Sequence, residues 1–96
     1  ALITYGSQLS QALAAQNIRV NIVSPGAIYY PGGNWEVIKS AAPPLYESTL
    51  AQMPMGRFGE PEEVAKAIVF MASPACPYMT GAHLVIDGGF TKRVQF

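Results

Sequence analysis

Two short β-branched segments, each closed by turn formers and separated by a proline-led helix, constrain this chain more than anything else in it. The first is Ile18-Arg19-Val20-Asn21-Ile22-Val23, with Ile or Val at four of its six positions, followed by Ser24-Pro25-Gly26. Branched side chains suit a pleated surface, and the alternation puts Ile18, Val20 and Ile22 on one face of a strand. Pro25 donates no ladder bond and Gly26 permits a sharp turn, so the chain is expected to leave the sheet there. The second is Ala82–Asp87, closed by Gly88-Gly89. Between them Pro61 opens a helix, with Glu62 and Glu63 in the first turn where the helix dipole favours negative charge. Val64, Ile68 and Met71, flanked by Ala65, Ala67 and Ala72, form its apolar stripe, and Ser73-Pro74 ends it. Strands joined through a helical crossover pair in parallel. Two parallel strands by themselves leave both edges open and bury too little area. The pattern therefore calls for neighbours, either further chain or a partner subunit.

The opening residues point the same way. Leu2, Tyr5, Leu9, Ala12 and Leu13 recur at helical spacing opposite Ser7, Gln8, Gln11 and Gln16. Ala1 already stands inside that pattern with nothing before it to cap the helix, so the sequence reads as a piece of a larger unit. Asn17 is the expected stop, because Asn tolerates the left-handed conformation better than most residues.

Residues 27–55 hold Tyr29, Tyr30, Gly32, Gly33, Trp35, Pro43, Pro44 and Tyr46, with short helices expected at Trp35–Ala41 and Leu45–Gln52. So long a segment between regular elements is expected to be a functional loop or lid, centred on residues 35–52. Gly56-Arg57-Phe58-Gly59-Glu60 is a turn leading into the Pro61 helix.

Composition narrows the function classes. Half of the 96 residues are hydrophobic and 12% are charged, too apolar for a disordered chain. Six basic residues balance six acidic ones, and Lys92-Arg93 is too short a run to engage phosphates, so no nucleic-acid partner is expected. The single Cys76 excludes an internal disulfide, and with the single His83 it excludes a Cys/His zinc cluster. No metal site is expected. The longest strongly apolar stretch, 67–72, falls far short of the ~20 residues of a membrane span, and no signal-peptide pattern is seen. A cytoplasmic setting without membrane association is expected.

The strand and turn at 18–26 closely resemble those of the short-chain dehydrogenase/reductase family. Pro54-Met55-Gly56-Arg57-Phe58-Gly59-Glu60-Pro61-Glu62-Glu63-Val64-Ala65 resembles the family's entry into its penultimate helix. Ala72-Ser73 followed by Tyr78-Met79-Thr80-Gly81 resembles its linker, and Leu84-Val85-Ile86-Asp87-Gly88-Gly89 its last strand. Four such matches in order across the chain make the resemblance specific. It implies an α/β fold, the C-terminal part of a Rossmann-like doubly wound parallel sheet, in the order helix, strand, lid loop, helix, strand. All 96 residues would then belong to one family domain, of which a usual member has ~250 residues. Ala1 would lie one or two residues beyond the family's catalytic Lys.

The resemblance also implies what is missing and what remains. No G-x-G-x-x-G turn for a pyrophosphate is present. The residues four after Tyr5, Tyr29, Tyr30, Tyr46 and Tyr78 are Leu9, Gly33, Asn34, Leu50 and Ala82, so the family's Tyr-x-x-x-Lys pair is absent too. No catalytic residue is assigned. The implied role is part of an oxidoreductase that moves a hydride between NAD or NADP and an alcohol or carbonyl substrate, with weak or no cofactor binding by these residues alone. Pro25 and Gly26 would let the backbone approach the nicotinamide. Ile28 would bond the carboxamide through its main chain, and Tyr30 stands where the family often has a Thr that bonds the same amide. Tyr29, Trp35 and Leu45 would cover the substrate. The helix Leu2–Ala15 and the strand Leu84–Asp87 would build dimers or tetramers. The alternative is a non-catalytic truncated chain acting only through subunit association.

Four further residues have simpler roles. His83, between apolar neighbours, is expected to be packed or at an interface, and Cys76 lacks a basic neighbour to form a thiolate. Arg57 is expected to clamp loop carbonyls or a carboxylate, and Asp87 to cap the turn after its strand.

Overall fold

The computed structural model describes residues 1–92; Arg93 of the basic pair lies outside them. The element order is α1 (Leu2–Leu13) with a 3₁₀ turn at Ala14–Gln16, β1 (Ile22–Pro25), α2 (Asn34–Ala41), α3 (Pro43–Ala51), α4 (Pro61–Ala72) and β2 (His83–Ile86). The fold is α/β with a two-stranded sheet. Ile22 N donates to Ala82 O and Gly26 N to Ile86 O, so the partner advances with the strand and the pair is parallel.

The chain forms two compact units. One comprises Ala1–Ser24 and Ala65–Val85, the other Pro25–Val64 and the segment from Ile86 onward.

In the first unit, the helical run that begins with α1 stops at Asn17, as expected. Asn17 takes φ 59°, ψ 34°, and its N–H donates to Ala14 O. The α-helix itself ends at Leu13, short of the expected Ala15, because the chain tightens into 3₁₀ geometry before the left-handed residue. Its buried positions are Gly6 and Ser10, whereas Leu2 and Tyr5 are 72% and 62% exposed. Gly6 allows close approach to Ile22, whose Cδ1 would lie 2.5 Å from an added Cβ.

The first strand lies later than Ile18–Val23. Ile18 N donates back to Leu13 O, and residues 19–21 bond the loop before β2 instead of a strand: Val20 N donates to Thr80 Oγ1, Gly81 N to Val20 O, and Asn21 Nδ2 to Met79 O. β2 accordingly starts at His83 instead of Ala82 and ends at Ile86, before Asp87. Arg19 binds the same region, giving hydrogen bonds of 2.7, 3.1 and 2.9 Å to the carbonyls of Met71, Ser73 and Met79.

Pro25 closes β1 as its last residue instead of lying beyond it. Ile22 and Gly26 donate toward β2, so alternation turns the nitrogen of Pro25 to the other side, where no ladder bond to β2 is lost. The sheet pairing extends one residue past the expected exit.

In the second unit, α2 and α3 start at Asn34 and Pro43 instead of the expected Trp35 and Leu45, and α3 ends at Ala51 instead of Gln52, with Gly33 as the α2 N-cap and Pro43 at the first position of α3. Glu36 in the first turn of α2 and Lys39 in its last complement the helix dipole. The chain then turns through 56–60 into α4. The buried hydrophobic residues among those described are Met53, Phe58 and Met71, the first two in this unit. On α4, Ile68, Val69 and Phe70 are exposed. Among the described residues no helix is long and apolar enough to cross a membrane, and no group of three His, Cys, Asp or Glu side chains is placed to hold a metal.

Candidate functional site

The second unit brings together most of the residues singled out in the sequence. Beyond Pro25 and Gly26, both exposed, the chain stays extended and forms a parallel bridge between Ile28 and Gly59. Gly59 N donates to Ala27 O at 3.1 Å, and Tyr29 N donates to Gly59 O at 2.9 Å. Extended backbone alternates its polar groups, so the N–H and C=O of Ile28 face away from Gly59. Among the described residues neither has a backbone partner. One free donor and one free acceptor on a single residue form a two-point fit for a primary amide.

Gly26 is required by packing inside the chain. A Cβ there would lie 2.7 Å from Asp87 Cβ and 2.8 Å from Asp87 Cα. Asp87 caps the following turn as expected: Gly89 N donates to Oδ1, and Thr91 N and Oγ1 both donate to Oδ2. The Thr91 hydroxyl, then the Thr91 amide, hold its carboxyl below the usual aspartate range.

The turn 56–60 is tied to the start of α4. Arg57 makes a two-point contact with the Glu63 carboxylate, at 2.9 and 2.6 Å, and donates to Phe58 O. The same carboxylate accepts from Glu60 N at 2.8 Å, satisfying an amide that the helix leaves without a partner. The Glu63 contact raises the Arg57 guanidinium further above its already high range. The expected clamp on a carbonyl and a carboxylate is present.

Four aromatic rings gather on this turn. Tyr46 stacks on Phe58 with centroids 5.0 Å apart and planes 19° from parallel, and Trp35 lies 5.0 Å from Phe58 at 50°. Tyr29 completes the cluster, 6.1 Å from Phe58 and 6.2 Å from Tyr46. Lys39 Nζ sits 5.3 Å from the Tyr46 centroid and 5.8 Å from that of Tyr29, within cation–π range. Of the three expected substrate-covering residues, Tyr29 and Trp35 are therefore joined through Phe58, while Leu45 is 53% exposed. Tyr30 lays its ring over Gly33, where an added Cβ would lie 2.8 Å from it. Phe58 and Tyr46 were not among the expected site residues. The signal for Phe58 was one large apolar residue between Arg57 and Gly59 in a turn that otherwise needs none. Beside the cluster a cavity of about 140 Å³ is lined by Ile28, Met53, Met55, Gly59, Val64 and Phe90 among others.

In the first unit His83 Nε2 lies 2.7 Å from Ser24 Oγ, and Cys76 is half-buried and free.

Residues 1–91 match the family described as enoyl-(acyl carrier protein) reductase. An isoepoxydon dehydrogenase, patN, of Aspergillus clavatus is 38% identical over 96 residues, covering 100% of this chain and 37% of its own. The chain belongs to the short-chain dehydrogenase/reductase family. A galactitol 2-dehydrogenase (L-tagatose-forming) of Cereibacter sphaeroides is 46% identical over 88 residues, 88% of this chain and 34% of that protein. The crystal structure of YwfH, an NADPH-dependent reductase involved in bacilysin biosynthesis, superposes with a TM-score of 0.84 at 33% identity, over 97% of this chain and 37% of that one. The chain thus spans little more than a third of the length of the short-chain dehydrogenase/reductase relatives it matches.

Proposed function

We propose that this chain forms the nicotinamide-side edge and substrate lid of an oxidoreductase acting on an alcohol or carbonyl substrate with NAD or NADP. The observation that carries the reading is the N–H and C=O of Ile28, which have no backbone partner among the described residues and are held in place by the Gly59 bridge on either side. A nicotinamide carboxamide offers the complementary acceptor and donor. When bound, the cofactor would supply or accept the hydride. Pro25 and Gly26 give a side-chain-poor surface next to Ile28, and the Tyr30 hydroxyl is a candidate second donor to the same amide. Tyr29 and Trp35, with Leu45 on α3, form the wall that keeps water from the reacting carbon. The proton-transferring Tyr and its Lys and Ser partners are contributed by the rest of the protein. The exposed apolar residues of α1, Leu2, Ile3 and Tyr5, together with β2, are proposed to meet a second subunit.

The test is a spectrophotometric assay of the whole protein with NADH and NADPH against a panel of ketones, aldehydes and sugar alcohols, together with direct cofactor titration. Saturable binding and turnover of at least one substrate are expected. Binding of neither cofactor would overturn the reading. Sedimentation of the same sample tests the subunit contact, a monomer being the contrary result.

A further inference from the structure

We infer that Phe58 is a positioning residue that couples the lid to the nicotinamide-side strand, so that the two are held or lost together; this rests on the proposed function above. Phe58 is 7% exposed in a chain whose described residues include only two other buried hydrophobics. Its ring is the shared partner of Trp35 on α2, Tyr46 on α3 and Tyr29 in the bridged segment after β1. Both lid helices therefore rest on one side chain. The next residue, Gly59, exchanges hydrogen bonds with Ala27 and Tyr29, the two residues flanking Ile28. Gly59 also admits Ile28, whose Cδ1 would lie 2.8 Å from a Cβ added there.

Two adjacent residues thus carry two attachments: Phe58 holds the lid by its ring, and Gly59 sets the direction of the Ile28 polar groups by its peptide. The segment cannot easily relax on one side alone. Arg57 holds the Phe58 carbonyl and Glu63 holds the Glu60 amide, so the turn is fixed to the first turn of α4. Lys39, over the Tyr46 and Tyr29 rings, adds a contact that links α2 to the same cluster. A substrate pressing on the lid and a cofactor held at Ile28 therefore act on one rigid block. Interactions that share such a block have coupled free energies.

The experiment uses the whole protein carrying Phe58→Leu, Phe58→Ala or Tyr46→Ala, compared with the parent by amide hydrogen exchange and by kinetics. Exchange at residues 34–51 and at the amides of Tyr29 and Gly59 should accelerate together in Phe58→Ala, by at least ~10-fold, with α1 unchanged. Phe58→Leu should restore most of the protection. Tyr46→Ala, which removes the stack while leaving Phe58, should give the same pattern more weakly and keeps the test open if Phe58→Ala does not fold. In kinetics, KM for the substrate and Kd for the cofactor should both rise, with kcat within ~3-fold of the parent, as expected for lost positioning. Accelerated exchange confined to 34–51 with normal Tyr29 and Gly59 would overturn the coupling, as would uniform acceleration that includes α1. The exchange readout stands even for a protein that turns over no carbonyl or alcohol, so failure of the proposed function and failure of the coupling are separable.

Discussion

Arg19→Met removes a cation while keeping most of the stem, and the structure sets the size of the effect. The guanidinium donates to three carbonyls, Met71 O, Ser73 O and Met79 O, that belong to the end of α4 and the loop before β2. A hydrogen bond from a charged donor contributes roughly 1.5–3 kcal/mol net when well buried, and Arg19 is only half-buried, which favours the low end. Met79 O has a second donor in Asn21 Nδ2 at 3.0 Å, so it stays satisfied when Arg19 is lost. Ser73 O likewise keeps its bond from Cys76 N at 3.2 Å, so Met71 O alone of the three loses its donor, and the expected cost is about 1–2 kcal/mol. That is a large share of the ~5–15 kcal/mol that stabilises a typical domain. Asn21→Ala alone strands the Ala82 amide, which donates to Asn21 Oδ1, and should cost about 1 kcal/mol. The double variant leaves Met79 O bare for the first time, so its cost should exceed the sum by about 1 kcal/mol. Urea denaturation of the whole protein measures all four members of the cycle, with a lowered midpoint at unchanged slope as the signature. An Arg19→Met cost below ~0.5 kcal/mol, or additivity within ~0.3 kcal/mol, would refute the reasoning.

Further substitutions probe three separate links. Gly26→Ala should destabilise by roughly 1–3 kcal/mol, because its Cβ meets the Asp87 backbone 2.8 Å away, whereas Gly6→Ala meets side-chain atoms alone, Ile22 Cδ1 at 2.5 Å and Cγ1 at 2.9 Å, and gains helix propensity, so its midpoint should fall less; denaturation midpoints decide between them. Asn17→Gly should be neutral or slightly stabilising and Asn17→Val should cost about 1–2 kcal/mol, since φ is 59° there; equal midpoints for the two variants would contradict the left-handed stop. Asp87, held low by Thr91, has a folded pKa below its unfolded one. Its contribution is therefore present above the usual aspartate range and is lost as pH falls through the folded value. Carbon-detected NMR titration should show the Asp87 pKa rising in Thr91→Val, and Asp87→Asn should remove this part of the acid-side loss of stability; an unmoved titration would disprove the cap.

The helices were legible because their limits are written locally. Pro61 with Glu62 and Glu63, and Asn17 after the α1 turn, act through backbone conformation or the dipole, which neighbours do not change, whereas α2 and α3 begin at Asn34 and Pro43, one and two residues before the expected Trp35 and Leu45. The strands were displaced because β-branched composition specifies extended backbone, and register depends on the partner. Val20 and Asn21 are as suited to a ladder as Ile22, yet their bonds go to Thr80, Gly81 and Met79, far away in sequence. The candidate site was half legible for the same reason. Tyr29 and Trp35 were visible as aromatics in a long loop, and Phe58, from a different segment, is what joins them. Leu45 had the right composition and place in the sequence, and on α3 it is exposed.

The most direct measurement follows the Ile28 amide in isotope-labelled whole protein during titration with NADH and NADPH, and with a dinucleotide whose carboxamide is replaced by an acetyl group. The Ile28 resonance should shift and gain exchange protection with the natural cofactor. The Gly59 amide, committed to Ala27 O, should stay nearly still, and the acetyl analogue should give a smaller shift because it can accept from Ile28 N–H but cannot donate to its carbonyl. Saturable cofactor binding that leaves Ile28 unmoved would contradict the account.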